Sequence, residues 1–336
     1  MSRSGVPSFS FVILCLLKIA VSAPAPARYF GFDQSAMRVF RRGETPVKTT
    51  SPSSAKEMEC PYDVISQPGE YFVQSSKALT CTWLFLTEPN AVVELEIMEL
   101  EYPCAENSFV EFFDGVALQM GVFPTESGHD LPFQERVNMV CNTGSRVLTS
   151  SQNVAMLSFQ SGATGGAFRL LFKHKTIQAP CNIFATASSG AFTLSNFGKE
   201  RNCSFAGIYP GYINVLHMAV GRETNEARLK CKNLNDMVQF LEGNSLDVSK
   251  MNVEQRICGR TGKAPSASPE VAAPSPADGT PSSSIFKHRA QCTSGITIPL
   301  MCQMSVVRLV SSGQHDNSIA FTFARESNEK NECAVN

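Results

Sequence analysis

Apolar and polar residues alternate at period two along much of this chain. Val93, Leu95 and Ile97 interleave with Glu94 and Glu96, and Phe168, Leu170 and Phe172 interleave with Arg169, Leu171 and Lys173. Successive side chains of a strand point to opposite faces, so the alternation predicts strands with one buried and one more exposed face. The segments are short, rich in β-branched and aromatic residues, and bounded by turn formers at Pro68-Gly69, Glu88-Pro-Asn90, Gly162 to Gly166 and Tyr209-Pro-Gly211. No long segment carries the spacing of an amphipathic helix. The predicted fold class is all-β.

The pattern also repeats. Cys60, Cys81, Cys104 and Cys141 reappear about 120 residues later as Cys181, Cys203, Cys231 and Cys258. Thr80-Cys-Thr-Trp83 matches Asn202-Cys-Ser-Phe205, each with a large aromatic two residues after the cysteine. Phe109-Val-Glu-Phe-Phe-Asp-Gly115 matches Met237-Val-Gln-Phe-Leu-Glu-Gly243. Val147 to Gln152 with Ala155 to Phe159 matches Val306 to Gln314 with Ile319 to Phe323. A duplicated unit of roughly 110–120 residues accounts for all three, and that period is too long for a solenoid. The expected architecture is two tandem antiparallel β-sandwiches, stapled by disulfides, over residues 60–176 and 181–333.

The N-terminal 27 residues change the picture of the compartment. Arg3 and Lys18, the apolar run Phe11-Val-Ile-Leu-Cys-Leu-Leu17 and the absence of acids read as a signal peptide, cleaved after Ser22 or Ala27. Lys18 interrupts the run before it reaches the roughly 20 apolar residues of a membrane anchor. A secreted chain meets an oxidising environment, so the eleven cysteines left after Cys15 is removed read as a disulfide framework with one thiol over. No close cysteine pair suits a zinc site. Sequential pairing is favoured because it keeps each bridge within its own unit. Residues 28–59 read as a loose N-terminal segment. Residues 262–290 read as a disordered insertion in the second unit, because 18 of the 23 residues from Gly262 to Ser284 are Pro, Ser, Ala or Gly.

Lys and Arg number 29 against 30 Asp and Glu, a net charge of -1. Without a basic run the chain offers little to a phosphate backbone, which sets nucleic acid aside. Motifs of hydrolases, metalloproteases, nucleotide-binding loops and dinucleotide folds are absent, so the chain reads as no enzyme. The adjacent pair His315-Asp316 falls in a turn with no placed nucleophile.

Each repeat resembles a CUB domain, an extracellular β-sandwich, in its aromatic after the second cysteine (Trp83), its strand ending in Phe-Phe-Asp-Gly115 and its Ser-Ser-Gln-Asn153 turn. A calcium site of that class needs carboxylates that Glu99 or Glu101 and Glu106 only partly supply, so no cofactor or metal is expected. Ser150 to Met156, Gly190 to Leu194, Arg201 to Phe205, Tyr209-Pro210, Ser249-Lys-Met251, Val306-Val-Arg308 and Val310-Ser-Ser-Gly313 together are similar to the corticotropin-releasing factor-binding protein family, from Cys60 to Cys333. The resemblance implies bridges Cys60–Cys81, Cys104–Cys141, Cys181–Cys203, Cys231–Cys258 and Cys302–Cys333. Cys292 is then the unpaired thiol: free, capped, or linking two molecules as a dimer. It also implies a single N-glycan at Asn202, in the one N-x-[ST] sequon of the chain.

For function, the resemblance implies a secreted protein that sequesters corticotropin-releasing factor, urocortin or diuretic-hormone-like peptides and limits receptor activation. A helical peptide buries its apolar stripe best in a groove, and two abutting sandwiches offer a cleft. In the family a basic residue just before the first cysteine and an acidic one just after it are implicated in ligand contact. Lys56 takes the first place and Asp63, one residue off register, the second. The alternative is a CUB-pair adaptor that docks on extracellular proteases or matrix proteins.

Overall fold

A computed structural model of the chain describes residues 55–60, 62–101, 108–118, 121–140, 146–221, 231, 235–261 and 296–326. The signal peptide, residues 28–54, the insertion 262–290, and Cys104, Cys141, Cys292 and Cys333 lie outside the described residues.

The first unit carries strands β1 (Lys56–Glu57), β2 (Tyr62–Ile65), β3 (Gly69–Ser75), β4 (Leu79–Leu86), β5 (Ala91–Glu101), β6 (Phe109–Phe113), β7 (Val116–Leu118), β8 (Gly121–Phe123), β9 (Val137–Met139), β10 (Arg146–Thr149), β11 (Val154–Ser161) and β12 (Gly166–Thr176). They form two five-stranded sheets, β1-β3-β12-β5-β10 and β2-β4-β11-β6-β9, with β7-β8 as a separate hairpin. The second unit carries β13 (Ile183–Ala185), β14 (Ser189–Ser195), β15 (Cys203–Gly207), β16 (Gly211–Val220), β17 (Met237–Gly243), β18 (Asn252–Ile257), β19 (Gly259–Thr261), β20 (Ile296–Leu300), β21 (Met304–Val310) and β22 (Ser318–Arg325). Its sheets are β13-β15-β21-β17-β18 and β14-β22-β16-β19, with β20 also paired to β16. The sheets β2-β4-β11-β6-β9 and β13-β15-β21-β17-β18 correspond strand for strand, and β3-β12-β5 corresponds to β14-β22-β16, which is the duplication in three dimensions; β1 and the β7-β8 hairpin belong to the first unit alone. No α-helix occurs among the described residues.

The inner faces follow the alternation. Val93, Leu95, Ile97, Phe168, Leu170 and Phe172 are buried around Trp83. Trp83 is fully enclosed, edge-on to Phe168 at 5.7 Å, and its indole N–H donates to the Glu59 carbonyl at 2.9 Å. Buried indole groups need such a partner. Phe205 takes the corresponding place in the second unit, edge-on to Phe321 at 5.3 Å. On the outer face of the first sandwich Lys173 reaches Glu96 at 2.8 Å and Lys175 reaches Glu94 at 3.6 Å, so the interleaved charges pair across strands.

Three short edge strands run parallel to their neighbours rather than antiparallel: β1 on β3, β2 on β4 and β13 on β15. A parallel pair cannot be closed by a tight turn. At two of them a disulfide stands at the start of the pairing, Cys60–Cys81 before Tyr62↔Thr82 and Cys181–Cys203 before Ile183↔Phe205. Cys231–Cys258 closes the third bridge, and Cys302 is disulfide-bonded as well.

Two expectations need correction. The third repeat match is displaced by one strand. Leu157 of β11 lies opposite Trp83, and Val307 of β21 lies opposite Phe205, so β11 corresponds to β21 and not to β22. Both alignments join a Ser-Ser turn to an alternating apolar strand, which is why the sequence permits the slip. The central strands also lack a polar face. Every residue from Cys81 to Leu86 and from Val154 to Phe159 is buried, as is every residue of β13 and β15. In the two sheets that hold these strands, one face fills its own sandwich and the other fills the junction between the two. Strands β19 and β20, which flank residues 262–295 in sequence, pair with opposite ends of β16.

Candidate functional site

The junction of the two sandwiches is built from Leu84, Leu86, Phe113, Val116, Leu118, Phe123, Val154 and Met156 on one side. These residues form one continuous apolar cluster with the interior of the second unit, including Ile183, Phe184, Leu241, Leu246 and Met251. Phe123 and Phe184 stack across it with ring centroids 5.6 Å apart. Large apolar interfaces hold domains in one orientation where small polar ones do not.

Four side chains cross the junction with hydrogen bonds. The Asn153 amide donates to the Phe184 carbonyl at 2.9 Å and accepts from the Phe184 N–H at 2.8 Å. The Asn182 amide donates to the Gly128 carbonyl at 2.7 Å, and the Asn202 amide to the Ser127 carbonyl at 2.9 Å. Arg308 Nη2 donates to Ser127 Oγ at 2.8 Å.

Asn153 is in place because Asp114 holds its turn. The Asp114 carboxylate accepts from the Ser151 N–H at 2.8 Å, from Ser151 Oγ at 2.6 Å and from the Gln152 amide. His129 Nδ1 accepts from the Leu131 N–H at 2.9 Å, which leaves the proton on Nε2 to donate to Asp114 at 3.1 Å. Burial pushes the Asp114 carboxyl up, but the bonds from His129 and Ser151 outweigh it and hold the group below the usual carboxylate range. Asp236 does the same for Ser312 and Asn317 in the second unit. Beneath Asp114 the fully enclosed Arg136 gathers the carbonyls of Asp114, Phe123 and Pro124 at 3.0, 3.2 and 2.8 Å, fixing the hairpin of β7 and β8.

Beside this hairpin opens a cleft of about 880 Å³, within the roughly 300–1,000 Å³ range of ligand pockets. The first sandwich contributes Val122, Glu126 and Phe133; the second contributes Leu241, Met251 and Val253, with Arg256 and Arg308. A second cavity of about 450 Å³ lies on Asn153 and Phe184. In the larger cleft Arg308 lies opposite Gln239, and Gln239 lies opposite Arg256, so the three form one row across β21, β17 and β18. Burial lowers the Arg308 pKa, its Nε has no hydrogen-bond partner, and no carboxylate pairs with it among the described residues. Of the cleft carboxylates, Asp247 is held by Ser249 Oγ at 2.7 Å and by Lys250 at 3.6 Å.

Lys56 and Asp63 stand elsewhere, on the edge strands of the two sheets of the first sandwich, and neither lines the cleft. Tyr71 relates them. The Lys56 ammonium sits over its ring, 5.6 Å from the centroid. Burial raises the Tyr71 phenol pKa and the Asp63 charge raises it further. Asp63 accepts from the Val64 N–H at 2.8 Å, while burial pushes its carboxyl up, as does the charge of Glu59. A cation and an anion thus flank one buried aromatic ring.

Asn202 is partly exposed, with Ser204 of its sequon buried in β15. His315 and Asp316 lie on the connection between β21 and β22, where the His315 carbonyl accepts from the Asn196 amide at 2.9 Å. Glu99 pairs with Arg169 at 3.5 Å, and Glu106 lies outside the described residues. The residues that sequence reasoning missed are Asn153, Asn182 and Arg308. Their signal was the unbroken apolar run of β4 and β11, which marks a sheet covered on both faces and therefore a partner surface.

Family models described as the corticotropin-releasing factor binding protein N-terminal domain and C-terminal domain match residues 54–176 and 183–266. The corticotropin-releasing factor-binding protein of Homo sapiens is 31% identical over 269 residues, covering 78% of this chain and 74% of the relative. That of Ovis aries is 28% identical over 323 residues, covering 93% and 90%. The solved CUB1-EGF-CUB2 domains of rat MASP-1 align at 11% identity over 78% of this chain and 99% of that one, with a TM-score of 0.24, so the sandwich assignment rests on strand order alone. With that strand order, that cysteine ladder and that identity over most of its length, the chain belongs to the corticotropin-releasing factor-binding protein family.

Proposed function

We propose that this chain is a secreted carrier that captures corticotropin-releasing factor, urocortin or diuretic-hormone-like peptides and keeps them from their receptors. The observation that carries the reading is family membership over most of the chain, joined to a cleft between two sandwiches locked in one orientation. Sequestration at hormone concentrations needs roughly nanomolar affinity, about -12 kcal/mol. A preformed junction supports that value because little order has to be created on binding. Lys56 and Asp63 contact the peptide beside Tyr71 as a second anchoring point. Lys56 lacks the planar fork of an arginine and acts as a point charge.

A glycan on Asn202 takes one of the two hydrogens of its amide and leaves the other for the Ser127 carbonyl. Sugar at this position stands beside Ser127, a cleft residue.

Isothermal titration of the mature protein with synthetic peptides of this hormone class tests the reading, and nanomolar binding at one-to-one stoichiometry is expected. Loss of affinity in Lys56→Ala and Asp63→Ala places the peptide at Tyr71, whereas unchanged affinity in both removes that region from the site. Recovery of large extracellular proteins only, insensitive to added peptide, favours the adaptor and overturns the carrier.

A further inference from the structure

We infer that Arg308 is the anion-recognition residue of the interdomain cleft and that it pairs with an acidic side chain of the bound peptide; the inference rests on the functional reading above. Three observations carry it. Arg308 lines the cleft, and its guanidinium is partly withdrawn from water by packing at the junction. Its Nε–H is buried without an acceptor, although Nη2 is satisfied by Ser127 across the junction. No carboxylate offsets its charge among the described residues, while Asp247 in the same cleft is already engaged by Ser249 and Lys250.

A buried donor left without a partner is costly, and a charged one more so, so natural structures rarely keep one without a use. A carboxylate entering the cleft neutralises the charge from the open side of the guanidinium, which is the pairing that an arginine fork suits best. The surroundings state the rest of the ligand's chemistry. Val122, Phe133, Leu241, Met251 and Val253 supply apolar wall. Arg256, two strands from Arg308 in the same row and exposed, stands roughly 10 Å away by the spacing of neighbouring strands. The occupant is therefore a peptide segment with aliphatic side chains around an acidic one, the acid directed at Arg308. The apolar contacts supply affinity and the arginine fixes register.

The test is a cycle of titrations on the full mature protein. A synthetic peptide of the corticotropin-releasing factor class is used unmodified and in versions with single Glu→Gln or Asp→Asn changes. Arg308→Gln is expected to weaken the unmodified peptide by about 10- to 100-fold, and Arg308→Lys by less, because it keeps the charge. One acid-to-amide peptide loses a similar factor against the unmutated protein and almost nothing further against Arg308→Gln. That peptide-side loss stands even where the arginine variant disturbs the junction, since the protein is then unchanged. Every acid-to-amide change acting by the same factor on Arg308→Gln as on the unmutated protein overturns the inference alone. Failure of the unmutated protein to bind any such peptide overturns the functional reading and the inference with it.

Discussion

Asn153 and Phe184, one in each sandwich, exchange two hydrogen bonds: the Asn153 amide donates to the Phe184 carbonyl and accepts from the Phe184 N–H, at 2.9 and 2.8 Å. One side chain thus imitates a strand and binds the first edge strand of the other unit. A third bond, from the Asn153 amide to the Thr87 carbonyl at 3.2 Å, ties the same group to its own sandwich. The cleft exists because this junction has one geometry.

Removing that side chain uncouples the units. Asn153→Ala strips three bonds from buried backbone groups, and a loss of about 2–4 kcal/mol is expected. Urea denaturation measures it, and faster hydrogen exchange at the Phe184 amide localises it. Asn153→Asp is the sharper variant. At neutral pH it sets a carboxylate against two carbonyl oxygens and is worse than alanine, whereas protonation restores a donor and recovers part of the loss. A pH-independent defect in Asn153→Asp contradicts the assignment.

Acid sensitivity follows from the two aspartate hubs. Asp114 and Asp236 are both held below the ordinary carboxylate range, by hydrogen bonds that outweigh the upward push of burial. A group depressed in the folded state lends stability that is present above its unfolded value of about 3.9 and fades as pH falls through the folded one. Asp63 has the opposite sign, since its carboxyl is raised by burial, and its penalty is relieved on acidification. Asp114→Asn is expected to cost about 2–4 kcal/mol at neutral pH. The gap between its stability curve and that of the unmutated protein narrows as pH falls below the unfolded value and through the lowered folded one. Parallel curves throughout the acid range exclude the role given to Asp114.

The one tryptophan of the chain makes the duplication measurable. Trp83→Phe imports the solution used at Phe205, losing the bond to Glu59 and some volume, and about 1–3 kcal/mol is expected. Phe205→Trp overfills a site closed by Phe192 at 4.5 Å and costs a similar amount. Denaturation of the first sandwich, read from amide hydrogen exchange in β4 and β11 because Trp83→Phe leaves no tryptophan, shifts in the former and less in the latter. Equal shifts mean that the two interiors are one cooperative unit.

Much of this architecture was legible in the chain. Cysteine spacing and aromatics at fixed offsets announced two copies of one unit, because a staple and the ring packed near it must keep their distance. The alternation of Val93 to Ile97 announced a half-buried sheet. The junction was harder to see. Trp83-Leu-Phe-Leu86 reads as a strand buried on both faces, but nothing local says that the cover on its second face is the other sandwich. Asn153 and Asn182 are ordinary turn residues until the other unit is present, and Arg308 is one of many arginines until its Nε proves to have no acceptor. The displaced third match has the same origin. Ser150-Ser151 and Ser311-Ser312 are both turns clamped by an aspartate, yet Asp114 closes one end of β6 and Asp236 the opposite end of β17.

Gly121 separates the contribution of the junction from that of the sandwiches. It takes φ +127°, where side chains are rarely tolerated, and a Cβ there stands 2.8 Å from the Asp247 nitrogen of the other unit. Gly121→Ala therefore carries backbone strain of about 1–3 kcal/mol and in addition pushes the turn Val248–Lys250, which lines the cleft, away from the hairpin. Gly198 is the control: it has φ +69° with nothing within 4 Å, so Gly198→Ala bears strain and no clash. Both variants lose stability in urea, but only Gly121→Ala is expected to loosen peptide binding, by several fold, with the fluorescence of folded Trp83 unchanged. Equal binding by the two variants separates the peptide site from the junction and leaves the Tyr71 face, with Lys56 and Asp63, to carry the ligand.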